Sequence, residues 1–150
     1  GARLGAVGAV AADPRAAARD ARIVVTATWS RRPLLAAADI APGAHVTSLG
    51  ADEPGKAELG ADLLERSRVV VDDVVLAEEM GVLAGTGPSA AHAAGTLRDL
   101  LRGDIPGRVR DGEVTVYAPV GLPWQDLALS WTAYEAARAA GIGREFDFLA

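Results

Sequence analysis

The chain has 150 residues, half of them apolar, with a formal charge of −5 and no cysteine. That length suits one sizeable core, and without cysteine there is no disulfide framework, thiolate metal site or cysteine nucleophile. Mild acidity without clustered Lys and Arg argues against a nucleic-acid partner, and the absence of a long apolar run or signal-peptide start argues against a membrane or export route. In chain order, Asp13 followed by Pro14 and the Ala-rich stretch to Arg19 predicts a short helix with an N-cap and proline at its first position. Ile23 to Thr28 is β-branched and nearly all apolar, which predicts a strand buried on both faces of a parallel sheet. Trp29 to Pro33 reads as a loop at its carboxyl end, and Ala36 to Ile40 as at most one helical turn. Ala44 to Leu49 is the next strand, Gly60 to Arg66 a short helix and Arg68 to Asp72 another strand. Connections this long between strands mean parallel βαβ units, hence an α/β fold.

Val74 to Met80 is predicted helical, Gly85 to Ser89 a flexible loop, and Thr96 to Arg102 a helix with Leu97, Leu100 and Leu101 on one face. Glu113 to Ala118 alternates as a strand does. Pro123 to Ala140 is the longest helix, stopped by Gly141, and its Trp124, Leu127, Trp131 and Tyr134 recur at three- and four-residue spacing. Such a stripe reads as packing surface, in a core or at an interface.

The most informative run is Gly50-Ala51-Asp52-Glu53-Pro54-Gly55-Lys56-Ala57-Glu58-Leu59, which holds the chain's only lysine. It follows the strand at 44–49, so Asp52 falls just beyond a strand's carboxyl end, where open α/β sheets bind ligands. Asp-Glu-Pro-Gly is also good turn chemistry, because proline presets φ and glycine accepts positive φ. Both readings stand on the sequence. Glu53 and Glu58 read as solvent-facing or helix-capping carboxylates. His45 and His92 lack ligand-spaced partners and read as structural or exposed, so no metal is expected. No serine sits in a Gly-x-Ser-x-Gly elbow.

This run resembles the ornithine cyclodeaminase/mu-crystallin family. Val24-Val25-Thr26-Ala27-Thr28, Val69 to Asp73, Val114 to Leu122 and Gln125-Asp126-Leu127 support it in the family's order, and the resemblance covers about residues 7 to 143. It implies a Rossmann-like, doubly wound parallel sheet over residues 1–121 and, over 122–150, a C-terminal helix and tail packing on that domain or on a dimerisation half. The cofactor implied is NAD or NADP, the ligand a small amino or imino acid, the assembly a homodimer of the full-length form, and the location cytoplasmic. A Gly-x-Gly-x-x-Gly turn between first strand and first helix would receive the pyrophosphate, but Gly1, Gly5 and Gly8 precede Asp13-Pro14 too early to serve. The chain therefore reads as the carboxyl-terminal half of such an enzyme, lacking its first βαβ unit.

By position in the motifs, the resemblance makes Asp52 the catalytic carboxylate, moving protons at the substrate nitrogen and stabilising a cationic imine. It gives Thr28 and Lys56 contacts with the dinucleotide; for Lys56 the rival role is an ion pair with Asp52 or Glu58. Val46, Thr47, Ser48 and Leu49 would line the cofactor cleft through backbone and small side chains. Val120 and Gly121 match the passage beside nicotinamide and substrate. Pro119 stands at a cofactor position where the family commonly has serine, and it supplies neither a hydroxyl nor an N–H. The implied activity is conversion of ornithine to proline and ammonia through an imine, with an imine reductase or amino-acid dehydrogenase as the alternative in the same family. A non-catalytic, mu-crystallin-like binding protein is the alternative from another class.

Overall fold

The computed structural model describes residues 8–84 and 93–147, in two compact units, Gly1–Val120 and Gly121–Ala150. The loop expected at Gly85–Ser89, His92, and the glycines at positions 1 and 5 lie outside the described residues.

In the first unit, helix α1 (Pro14–Ala18) starts as its sequence dictates: the Asp13 carboxylate accepts from Arg15 N at 3.1 Å and proline fills the first position. The strands are β1 (Ile23–Thr26), β2 (Arg31–Leu35), β3 (His45–Ser48), β4 (Ala57–Leu59), β5 (Arg68–Val71), β6 (Ala93–Thr96) and β7 (Thr115–Tyr117). Between them lie a single 3-10 turn (Ala37–Asp39) and the helices α2 (Ala61–Glu65), α3 (Val74–Glu79) and α4 (Leu97–Arg102). Five strands form one sheet in the order β1-β3-β7-β5-β6, and β2 pairs with β4 in a second. Every pairing is parallel. This Rossmann-like α/β arrangement, ending in a long helix, is the fold class expected from the sequence.

Because all strands run the same way, the carboxyl ends of β1, β3, β7 and β5 share one edge. On one face, alternate residues Val46, Val69, Val71 and Val116 pack with Leu63 and Leu64 of α2 and with Leu35 and Leu59 of the small sheet. The other face carries His45, Thr47, Thr115 and Tyr117, half-buried.

Several local expectations need correction. The strand at Ile23 is not buried on both faces: β1 is an edge of the described sheet, with Ile23 71% and Val25 61% exposed. The loop expected at Trp29–Pro33 is partly strand β2, and Pro33 is tolerated there because β2 pairs on one side only and its register slips between Arg31 and Leu35. The strands β4 and β6 were not anticipated, being short and, in β6, rich in alanine and glycine. Leu101 is exposed, unlike its half-buried neighbours Leu97 and Leu100.

The second unit is α5 (Pro123–Ala140), with proline at its start and Gly141 at φ 66° ending it as predicted. Its Trp124, Leu127, Trp131 and Tyr134 are exposed. Among the described residues no helix is long and apolar enough to cross a membrane.

Candidate active site

The register of edge strand β1 on its neighbour β3 sets the site. Thr26 of β1 pairs with Ser48 of β3, so two hydroxyls stand side by side on the core face at the sheet's carboxyl edge. Into that corner β4 delivers Glu58, which is fully buried. Its Oε2 accepts from Thr26 Oγ1 at 2.6 Å, Ser48 Oγ at 2.7 Å and Gly50 N at 2.9 Å. Its Oε1 accepts from Thr28 N at 2.7 Å and Thr28 Oγ1 at 2.8 Å. Burial opposes ionisation of this carboxyl, but the donors from Thr26, Ser48, Gly50 and Thr28 outweigh it and hold its pKa below the usual glutamate value. The expectation that Glu58 faces solvent or caps a helix is thus overturned. Proximity in sequence to the helix at 60–66 suggested a cap, whereas Glu58 lies in a strand whose alternation turns it inward.

Gly50 shows how closely the two loops approach. A Cβ there would collide with the Thr28 carbonyl and stand 2.5 Å from Glu58 Oε1. Glycine is required by the contact, as its φ is ordinary.

Beyond Gly50 the chain turns at Gly55, φ 81°, and brings Lys56 back on Asp52 and Glu53, its Nζ lying 2.7 Å from a carboxylate oxygen of each. Hydrogen bonds to Asp52 and then Glu53 raise the Lys56 ammonium above its ordinary pKa. The ammonium also sits 5.9 Å from the Trp29 ring centroid. Of the two carboxylates named as possible partners, Lys56 therefore pairs with Asp52, while Glu58 takes its bonds from hydroxyls and backbone. Asp52, its side chain 46% exposed, is presented to solvent at the edge with one oxygen fixed by Lys56. Glu53 is exposed, as expected.

On the neighbouring strands, Asp72 after β5 accepts from Val120 N and Asp73 N, each at 3.0 Å, tying the turn after β7 to the turn after β5. Pro119 and Val120 are half-buried in that turn. Gly121, at φ 98°, begins the second unit and is exposed.

Thr28, Ser48, Asp52 and Val120 thus follow or end strands of the five-stranded sheet at one edge, and Lys56, just before β4, joins them through its ion pair with Asp52. Their side chains are not equivalent. Ser48 and Val46 are buried, with the Ser48 hydroxyl committed to Glu58, and the Thr28 hydroxyl also donates inward while accepting from Ser30 N at 3.3 Å. The side chains of Ser48 and Val46 are thus turned into the core. Thr47 points to the other face, where its hydroxyl meets His45 Nε2 at 3.2 Å, and Leu49 is exposed. His45 also bonds Thr115 through Nδ1 at 2.8 Å, and burial, then Arg108, lowers its pKa. Among the described residues no group of His, Cys, Asp and Glu is arranged to hold a metal. Sequence reasoning missed Glu58 as an organiser, along with Thr26 and Asp72. The available signal was the pairing of hydroxyl residues and glycine at the ends of two strands.

A sequence model of the ornithine cyclodeaminase/mu-crystallin family matches residues 4–141. Curated relatives include proteins named alanine dehydrogenase, iminosuccinate reductase, Δ1-pyrroline-2-carboxylate reductase and ornithine cyclodeaminase. The chain is 35% identical to alanine dehydrogenase of Archaeoglobus fulgidus over 84% of its own length and 40% of the relative's. To iminosuccinate reductase of Paracoccus denitrificans it is 32% identical, over 85% and 41%. The solved structure of an archaeal alanine dehydrogenase dimer with bound NAD superimposes with a TM-score of 0.86 at 30% identity, covering 99% of this chain and 47% of that one. The chain spans less than half the length of these relatives.

Proposed function

The chain belongs to the ornithine cyclodeaminase/mu-crystallin family, and from that premise we propose that it forms the catalytic-carboxylate side of an NAD(P)-dependent enzyme acting at the amino-bearing carbon of a small amino or imino acid. The observation that carries this reading is Asp52, an exposed carboxylate at the carboxyl edge of a parallel sheet, fixed by Lys56. Residues 1–121 would contribute to the cofactor domain, and 122–150 the helix that packs on it or on a dimerisation half. Exposure of Trp124, Leu127, Trp131 and Tyr134 on α5 is consistent with a homodimer of the full-length protein.

The residues present fit one flank of a dinucleotide. The backbone approach at Gly50, tolerating no Cβ, brings the loops that carry Thr28 and Asp52 together, and Lys56 offers a cation beside them. Thr28, Lys56 and the backbone of 46–49 and 119 would hold the nicotinamide cofactor, with Val120 and Gly121 toward the substrate. When bound, that cofactor supplies reversible hydride acceptance. Asp52 would hold or release the proton at the substrate nitrogen and offset the charge of an iminium, as an ionised carboxylate can. Lys56 would keep that carboxylate oriented while leaving its second oxygen for the substrate.

Within this class two activities are supported. One is an ornithine cyclodeaminase, forming proline and ammonia with the hydride returned to the cyclic imine, as the family resemblance of the run around Asp52 allows. Relatives above 30% identity include an alanine dehydrogenase, an iminosuccinate reductase and an uncharacterised cyclodeaminase, so their names support an amino-acid dehydrogenase or imine reductase as well as a cyclodeaminase. Incubating the natural full-length protein with ornithine and catalytic NAD(P)⁺ separates them: a cyclodeaminase releases proline and ammonia without net reduction of the cofactor. A reductase instead consumes NAD(P)H stoichiometrically with a cyclic imine, or with a 2-oxo acid plus ammonium. Tight cofactor binding with no turnover of any of these would favour the mu-crystallin-like reading.

A further inference from the structure

We propose that Glu58 is a positioning residue of this site: its buried, ionised carboxylate holds the Thr28 loop and the Gly50–Asp52 loop in the register that presents Asp52. The inference rests on the reading of Asp52 and Thr28 as site residues. It starts from a charge placed where charges are rarely found. A fully buried glutamate is normally paired with a cation, yet among the described residues no ion pair involves Glu58. Five donors from two chain segments, residues 26–28 and 48–50, stabilise it instead.

The division of those donors is informative. Each oxygen receives one backbone N–H, from Thr28 on Oε1 and from Gly50 on Oε2. The hydroxyls of Thr26, Thr28 and Ser48 can rotate to suit another partner, but a backbone N–H cannot. Only a group with two acceptor oxygens and no donor satisfies both loops at once. Glutamine, of the same size, must turn its NH₂ toward either Thr28 N or Gly50 N, whichever way the amide is flipped. The carboxylate therefore acts as a two-pronged staple between the ends of β1 and β3, and Asp52 lies two residues beyond one prong. Elsewhere in the fold the corner between strands is apolar, filled by Val46, Leu59 and Leu63. A role in stability alone would be met by more of the same.

The test compares Glu58→Gln, Glu113→Gln and Asp52→Asn in the natural full-length protein. Glu113 is a second carboxylate with depressed pKa, bonded by Val109 N and Arg68 near the start of β7. It lies outside the site. Hydrogen–deuterium exchange is read on the segments holding Thr28 and Gly50, alongside kcat and KM. In E58Q at least one of the two segments, the one facing the amide NH₂, should exchange at least tenfold faster while β5 and α3 keep wild-type protection. The kcat for the amino or imino acid should fall tenfold or more, with the NAD(P) KM changing less than kcat. E113Q should keep kcat within about threefold. Unchanged exchange at both loops in E58Q, or exchange raised throughout the domain with kcat lost only in proportion to unfolded protein, would overturn the proposal. If D52N turns over normally while E58Q opens one or both loops, the reading of Asp52 has failed and the staple has not. Should E58Q not fold, E58D keeps the charge but is one methylene short of spanning both loops. Wild-type exchange and kcat in E58D would then count against the staple, and one loop opening with reduced kcat would support it.

Discussion

Replacing Glu58 by glutamine should also alter stability with a particular pH dependence. At neutral pH the variant loses two things: the charge-assisted character of five hydrogen bonds, and the acceptor for one backbone N–H, Thr28's or Gly50's. A buried donor left without an acceptor costs about 1–3 kcal/mol, and the remaining bonds weaken because neutral acceptors bind about half as strongly as charged ones. A total of about 2–4 kcal/mol follows, or a urea midpoint lower by roughly 1–2 M at an m-value of about 2 kcal/mol/M. The folded-state pKa of Glu58 is depressed, so its contribution is fully present above the unfolded-state value and is lost as pH falls through the folded-state value. Glutamine does not titrate. The stability gap between wild type and Glu58→Gln should therefore stay level between about pH 6 and 8, then shrink below the ordinary glutamate range. Asp99 and Glu113 also have depressed pKa values and contribute acid sensitivity of the same sign, but they are common to both proteins and cancel in the difference. Urea titrations at a series of pH values measure it. A gap near zero at pH 7, or one that widens as pH falls, would refute the account of Glu58 as an ion held by hydrogen bonds.

Asp52→Asn should lower kcat about a hundredfold or more, the usual effect of removing a positioned acid/base group, while leaving cofactor affinity largely unchanged; steady-state kinetics on the full-length protein would show near wild-type turnover if Asp52 were only a turn residue. Lys56→Ala should raise the cofactor KM more than it lowers kcat, and a purely catalytic defect would remove Lys56 from the cofactor. Gly50→Ala should destabilise by about 1–3 kcal/mol, typical of forcing atoms into a filled space, because its Cβ meets the Thr28 carbonyl and Glu58. An alanine variant with an unchanged urea midpoint would mean the two loops are not held in contact. Glu53→Gln removes only an exposed partner of Lys56 and should cost less than about 1 kcal/mol.

Much of this fold was legible because its determinants are local. Asp13-Pro14 and Pro123 announce helix starts and Gly141 a helix end by chemistry at the terminus itself, and Val69 to Val71 or Val114 to Tyr117 announce buried strands by β-branching. The parts that were misread depend on what lies across the sheet. Whether β1 is central or an edge is decided by a neighbour strand, which its own residues do not specify. Pro33 signalled a loop because its missing N–H would break a ladder, and it could not signal that β2 bonds on one side only. The same reasoning explains Glu58. On the sequence it is a glutamate three places from a short helix, and charge alone places it in water. Its burial becomes comprehensible only when Thr26 and Ser48 are known to be register partners and Thr28 and Gly50 to follow them, five donors with no other acceptor at the end of two strands. The motif that contains Glu58 drew attention to Asp52 and Lys56, the residues that face outward, whereas the residue that fixes their loop faces inward. In a parallel sheet whose ligand groups gather at one edge, a buried carboxylate among hydroxyl and glycine N–H donors at that edge is therefore a better guide to loop placement than to catalysis itself.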